Sequence, residues 1–173
     1  MDCYFDATDL ACYVSKYHEN KFKQKISSIK LQKSLYFLFA YWGGFVKRSE
    51  VLKNENDREG QEVQQLKKYL YDDEIQAWTY GPVLPVVYHT FDIHYNFDTD
   101  TETENSIKKI EKETYVKSFI DDLLNDLFVV SDFKLVDISH QDNCWRSKYN
   151  DEDEHHNNEI DKDEIIEEYA KKF

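Results

Sequence analysis

The sequence predicts a mainly α fold, a single helical domain over residues 1–173 with one small β element around residues 74–80. Three observations predict it. Apolar residues recur at helical spacing through several long stretches. Capping residues (Ser, Asp) stand just before those stretches. Both prolines, one of four glycines and one of three tryptophans gather in the single segment Glu74–Phe91. There the alternation Ile75-Gln76-Ala77-Trp78-Thr79-Tyr80 reads as a strand with one buried face.

The elements follow in order. Asp6-Ala7-Thr8-Asp9 can cap a first helix that carries Leu10, Ala11, Val14 and Tyr17 on one side and ends near Asn20. A basic linker, Lys21–Lys25, leads to Ser27 or Ser28, the cap of a second helix. In it Leu31, Leu35, Leu38, Phe39 and Trp42 form one face, and Tyr36, Phe37 and Tyr41 make the other side apolar too. Apolar all round, it reads as the central, most buried helix. Gly43-Gly44 reads as its C-terminal stop. Lys30 and Lys33 fall in its first turns, at the positive end of the helix dipole. Cations so placed point to a facing carboxylate, inside the fold or on a partner.

Residues 46–71 are polar and charged and read as an inserted connection, with a short helix around Gln61–Tyr71. After the strand, Gly81-Pro82 forms a rigid corner and Pro85 opens a new helix, with Val86, Val87, Tyr88 and Phe91 as its apolar face. Residues 92–106 read as an acidic surface loop. Ile107, Ile110, Tyr115, Phe119, Ile120, Leu123, Leu124 and Leu127 then mark one long amphipathic helix. Ser131 caps a helix through Phe133, Leu135, Val136 and Ile138, and Asp142–Trp145 is a turn with one large anchor. Residues 151–158 read as a mobile acidic loop. Ile160, Ile165, Ile166, Tyr169 and Phe173 define a last helical face.

Charge bounds the function. The net charge of −13 disfavours nucleic acid and anionic membranes as partners of the whole chain and suits a basic protein partner. The stretch Lys16–Arg48 holds eight Lys/Arg against Glu19 alone, whereas Asp121–Phe173 holds sixteen Asp/Glu against six Lys/Arg. Three cysteines without metal-type spacing fit a reducing compartment. The acidic N-terminus lacks the basic and apolar regions of a signal peptide. The longest apolar run, Leu35–Trp42, falls short of the roughly 20 residues that span a bilayer. A cytoplasmic protein without membrane contact is expected.

No catalytic or cofactor motif stands out. His89 and His94 are spaced wrongly for a zinc pair on one helical face, and His155-His156 among carboxylates reads as a solvated loop. P-loop, G-x-G-x-x-G and G-x-S-x-G patterns are absent. Cys144 and His140 could pair as thiol and base, but no oxyanion donor or orienting partner accompanies them. The expectation is a protein with no enzyme activity, no metal and no cofactor.

Three segments together resemble a known family. Ile26–Phe37 (ISSIKLQKSLYF) is similar to its K-L-Q-K helix motif. Glu74–Phe91 (EIQAWTYGPVLPVVYHTF) resembles its E-A-W-x-Y-G-P-V-x-P-x-V-Y-x-x-F hallmark, and Leu135–Trp145 (LVDISHQDNCW) its L-x-x-L-T-H-x-x-x-P-W. The family is the Panacea antitoxin domain of phage-associated, SocA-like proteins. Here Ser139 replaces its Thr, Cys144 its Pro, and Gln76 stands at a usual Glu. The resemblance implies a non-catalytic antitoxin that binds and neutralises a protein toxin, usually encoded by the adjacent gene. The other reading is a phage-borne adaptor or inhibitor acting on a host protease or defence enzyme. The resemblance implies Lys30, Gln32, Lys33, Trp78, Tyr80, Gly81, Pro82, Tyr88, His140 and Trp145 as the family-motif and partner-binding candidates. Of these, Trp78, Tyr88 and Trp145 are expected in the core and Lys30, Lys33 and His140 on the surface.

Overall fold

A helix that is apolar on every side must be enclosed by the rest of the chain, and the second helix is. The computed structural model describes residues 2–55, 65–91, 101–152 and 158–173. Among them the chain is mainly α, with eight helices and one small two-stranded sheet. Helix α1 spans Ala7–Phe22 and α2 spans Ser28–Glu55. Leu35, Tyr36, Leu38, Phe39, Ala40 and Trp42 of α2 are wholly buried.

Helix α2 does not stop at Gly43-Gly44; it continues to Glu55, through the first residues of the expected connection. Two mid-helix glycines cost up to about 1 kcal/mol each relative to alanine. The compensation is close approach by α8, Lys162–Ala170. A Cβ on Gly43 would lie 2.4 Å from Ile166 Cγ1, and one on Gly44 would lie 2.8 Å from the backbone carbon of Tyr169. The glycines form a seat for the last helix. Ile165, Ile166 and Tyr169 bury as expected, while Phe173 stays half-exposed beyond the helix end.

Expected caps also shift. Asp6 precedes α1 but makes no side-chain cap; Asp73 accepts from the Ala7 N–H instead, at 2.9 Å. Residues 65–71 are not helical, with Tyr69 bridging Cys3 in parallel; positions 61–64 of the expected short helix lie outside the described residues. The sheet is a hairpin, β1 (Gln76–Trp78) paired antiparallel to β2 (Gly81–Val83), with Trp78 opposite Gly81. Residues 158–160 flank β1: Ala77 N–H donates to Asn158 O and Ile160 N–H to Ile75 O, each at 2.8 Å. Pro85 opens α3, Pro85–Thr90, as expected, but only Val87 of its apolar face is buried.

The expected single amphipathic helix is two: α4, Thr101–Lys112, and α5, Thr114–Phe128. The acidic loop expected over 92–106 is helical from Thr101, and its earlier part lies outside the described residues. The break at Glu113 lets α4 lie against α1, where Asp9 accepts from Ser106 at 2.6 Å and Lys109 at 2.9 Å. Ser131 caps α6, Asp132–Ser139, by accepting from Lys134 N–H, as its sequence requires. The anchor turn closes as a short helix, α7, Asn143–Arg146. Of the acidic loop expected over 151–158, residues 153–157 lie outside the described residues.

Candidate functional site

The K-L-Q-K segment binds the hairpin to α2 through side chains. Gln32 donates from Nε2 to Leu84 O at 3.3 Å and accepts Leu84 N–H on Oε1 at 2.8 Å, satisfying both backbone groups of one buried residue. One residue on, Lys33 donates to Pro82 O at 2.6 Å. Lys30 turns elsewhere. Its ammonium donates to Val130 O and lies 3.4 Å from Asp132 Oδ1, at the α5–α6 corner. Ser27 caps α2 through the Lys30 N–H at 3.0 Å.

The two lysines correct the surface expectation. Lys30 is 7% exposed and Lys33 only 1%. Lys30 faces a carboxylate, as its place in the helix suggested. Lys33 does not: among the described residues its partner is a carbonyl, and burial alone lowers its pKa to about 7. Gly81 makes this burial possible. Its φ is +99°, and a Cβ there would lie 2.4 Å from Ser139 Oγ and 2.9 Å from Lys33 Cε.

From the other side, α6 and α7 hold the hairpin turn by its carbonyls. Trp145 donates from Nε1 to Trp78 O at 3.0 Å, and His140 Nε2 lies 3.1 Å from Thr79 O. The rings of His140, Trp145 and Tyr149 stack in series, at 4.1 Å and 4.7 Å. His140 therefore addresses the hairpin rather than Cys144. The Cys144 thiol is buried, its pKa pushed up to about 12 chiefly by that burial, and it lies 3.4 Å from the Tyr36 hydroxyl. Such a thiol stays protonated and is a poor nucleophile.

Clamped from both sides, the hairpin forms one wall of a cleft of about 370 Å³ against the start of α2. Ser28, Ile29, Gln32 and Lys33 come from α2, and Trp78, Thr79, Tyr80, Val83 and Tyr88 from the hairpin and α3. Tyr88 packs edge-on against Trp78 at 5.0 Å yet is 49% exposed, against the core expectation; Trp78 is half-buried and Trp145 buried. Tyr80 is 57% exposed and meets Phe133, 63% exposed, at 6.3 Å. An open rim of three aromatic rings results.

The candidates thus divide by place. Gln32, Lys33, Trp78, Tyr80 and Tyr88 line the cleft, Gly81 and Pro82 pack on Lys33, His140 and Trp145 brace the turn from behind, and Lys30 pins a different corner. Sequence reasoning missed Ile29, which shares a helical face with Gln32 and Lys33 at i+3 and i+4. It also missed Phe133, read only as one of the apolar positions of the helix that Ser131 caps. Among the described residues no group of three or more metal-ligating side chains comes together, and no helix is long and apolar enough to cross a membrane. His94, His155 and His156 lie outside the described residues.

Helices around a buried central helix, with a side-chain-clamped hairpin walling an aromatic cleft, define a mainly α protein built to present a concave apolar surface. Residues 58–146, just over half of the chain, match the family model described as Antitoxin SocA-like, Panacea domain. The chain belongs to that family. The matched region holds the hairpin and the His140–Trp145 brace, while Lys30, Gln32 and Lys33 precede it. No curated protein and no solved structure matches the chain.

Proposed function

We propose that the protein is an antitoxin that neutralises a protein toxin by binding it directly in the cytoplasm, without catalysis, and that the toxin is the product of the adjacent gene. Membership of the SocA-like antitoxin family supports the general role. The observation that carries the contact surface is the aromatic rim: Tyr80 and Tyr88 stand exposed on a concave apolar cleft, and the exposed Phe133 packs against Tyr80. Aromatic anchors with a polar tip are the commonest carriers of interface energy, and a folded monomer gains nothing by exposing three beside one cleft. The net charge of −13 favours fast association with a basic toxin surface.

Co-expression tests the reading. The adjacent open reading frame, expressed alone, arrests growth; co-expression with this protein relieves the arrest, and the two purify as a complex. Tyr88→Ala combined with Phe133→Ala removes exposed rings, so the variant folds but no longer rescues. A non-toxic neighbour, or rescue without any complex, sinks the proposal. Capture of a host protease or defence enzyme in place of a toxin would support an adaptor or inhibitor role instead.

A further inference from the structure

The chemistry of the cleft says more than that it is apolar. Among the described residues no acidic side chain lines it, and its one charged side chain is Lys33. That ammonium has three N–H donors, and among the described residues a single carbonyl, Pro82 O, takes one of them. A buried cation without a counter-charge is costly, and the cost falls when an anion enters beside it. Among the described residues the surroundings supply none. Tyr80 and Tyr88 are at the rim, His140 is held at the Thr79 carbonyl, and Lys30 already faces Asp132. Ser139 lies against Gly81 with its hydroxyl donated to Val136 O at 2.8 Å. The amide of Gln32 is committed to Leu84.

We propose that the cleft accepts an anchor from the protein partner that carries a carboxylate beside one apolar or aromatic side chain, with the carboxylate received by Lys33 and the apolar body by Ile29, Val83, Trp78 and Tyr88. This rests on the reading of the cleft face as the partner surface. The volume suits such an anchor, since cavities of roughly 300 Å³ upward hold compact ligands. The acidic exterior steers the partner's basic surface at long range, while this contact is local and shielded from it. Entry of the carboxylate raises the Lys33 pKa from about 7, so binding above neutral pH takes up a proton and weakens as pH rises.

The test uses N-acetyl-phenylalanine and its amide, which share one body and differ in the carboxylate, titrated against the whole protein by NMR. The acid shifts the Trp78 indole and Gly81 amide signals saturably, with an affinity of about millimolar for a fragment of that size. The amide binds at least about tenfold more weakly at about pH 6, and the acid loses about tenfold between about pH 6 and about pH 8.5. Lys33→Met abolishes the preference for the acid. If that variant fails to fold, the acid–amide pair and the pH series decide on the native protein. Equal affinity for acid and amide, a pH-independent preference, or shifts away from the cleft overturn the inference. Those outcomes leave the antitoxin reading standing, because it is judged by rescue and complex formation with the toxin.

Discussion

Tyr36 on α2 donates its hydroxyl to Asp142 Oδ2 at 2.6 Å, joining the central helix to the corner between α6 and α7. Tyr169 of α8 donates to the same oxygen at 2.7 Å, and Lys172 reaches Oδ1 at 3.3 Å. Asp142 is 2% exposed, so one carboxylate ties three helical segments together below the surface. The brace behind the hairpin hangs from this corner, because His140 and Trp145 flank Asp142 in sequence.

Asp142→Ala leaves two buried hydroxyls without their acceptor, at about 1–3 kcal/mol each. The expected loss of stability is about 3–5 kcal/mol, as for a broken buried charge network. Asp142→Asn keeps an acceptor oxygen and loses less. Urea denaturation followed by circular dichroism checks both, and equal losses for the two variants would exclude the hub role.

Gln32→Leu keeps the volume near the hairpin and removes both bonds to Leu84. The Leu84 N–H then lacks its partner, while Leu84 O still accepts from the Val87 and Tyr88 N–H groups, so the cost is about 1–3 kcal/mol. The loss is local before it is global, so amide hydrogen exchange at Leu84 accelerates more than that at Leu35 or Leu38 of α2. Uniform acceleration across these sites would show that Gln32 serves only general packing.

Gly44→Ala raises helix propensity by up to about 1 kcal/mol and still destabilises. The new methyl meets backbone atoms of α8 at 2.8–2.9 Å, which cannot rotate aside. A net loss of about 1–3 kcal/mol is expected. At Gly43 the obstacle is an isoleucine side chain, so Gly43→Ala costs less. Thermal unfolding of the two variants checks the order, and a stabilised Gly44→Ala would mean that α8 does not sit on this seat.

This pair of glycines shows where the sequence was legible and where it was not. Periodicity identified α2 as the buried helix, and Pro85 and Ser131 marked the starts of α3 and α6, because those signals are local. Gly43-Gly44 carries the same local signal as a helix stop; only the approach of α8, more than a hundred residues later, decides otherwise. The break at Glu113 was illegible for a similar reason, since it serves the docking of α4 on α1 through Asp9. At the cleft, the motif residues were legible as a set, but their exposure was not. Lys33 looked like a surface cation because a lysine usually is one, and Tyr88 looked like core because it shares a short helix with Val87. A buried lysine can be recognised only once Gly81 is seen to lie across its stem.

Lys33 gives the chain a pH dependence whose sign is fixed by burial. The folded pKa, about 7, lies below the unfolded reference of 10.5. Between these values the unfolded chain binds the extra proton, so stability rises with pH across that window by up to about 1.4 kcal/mol per unit. Below about pH 7 both states are protonated at this site, and the penalty of the buried charge is present in full. The upper end is limited by Tyr36, Tyr71 and Tyr169, whose hydroxyls burial pushes above their ordinary value of 10.0. Their stabilising effect is complete below the unfolded tyrosine pKa and fades as pH climbs past it. Lys33→Met removes the lysine slope and leaves the tyrosine limb unchanged. Denaturant midpoints at intervals from pH about 6.5 to about 9.5 should therefore rise in the native protein relative to the variant. Parallel curves would mean that the Lys33 amine keeps its charge throughout and that its burial is relieved by a group other than Pro82.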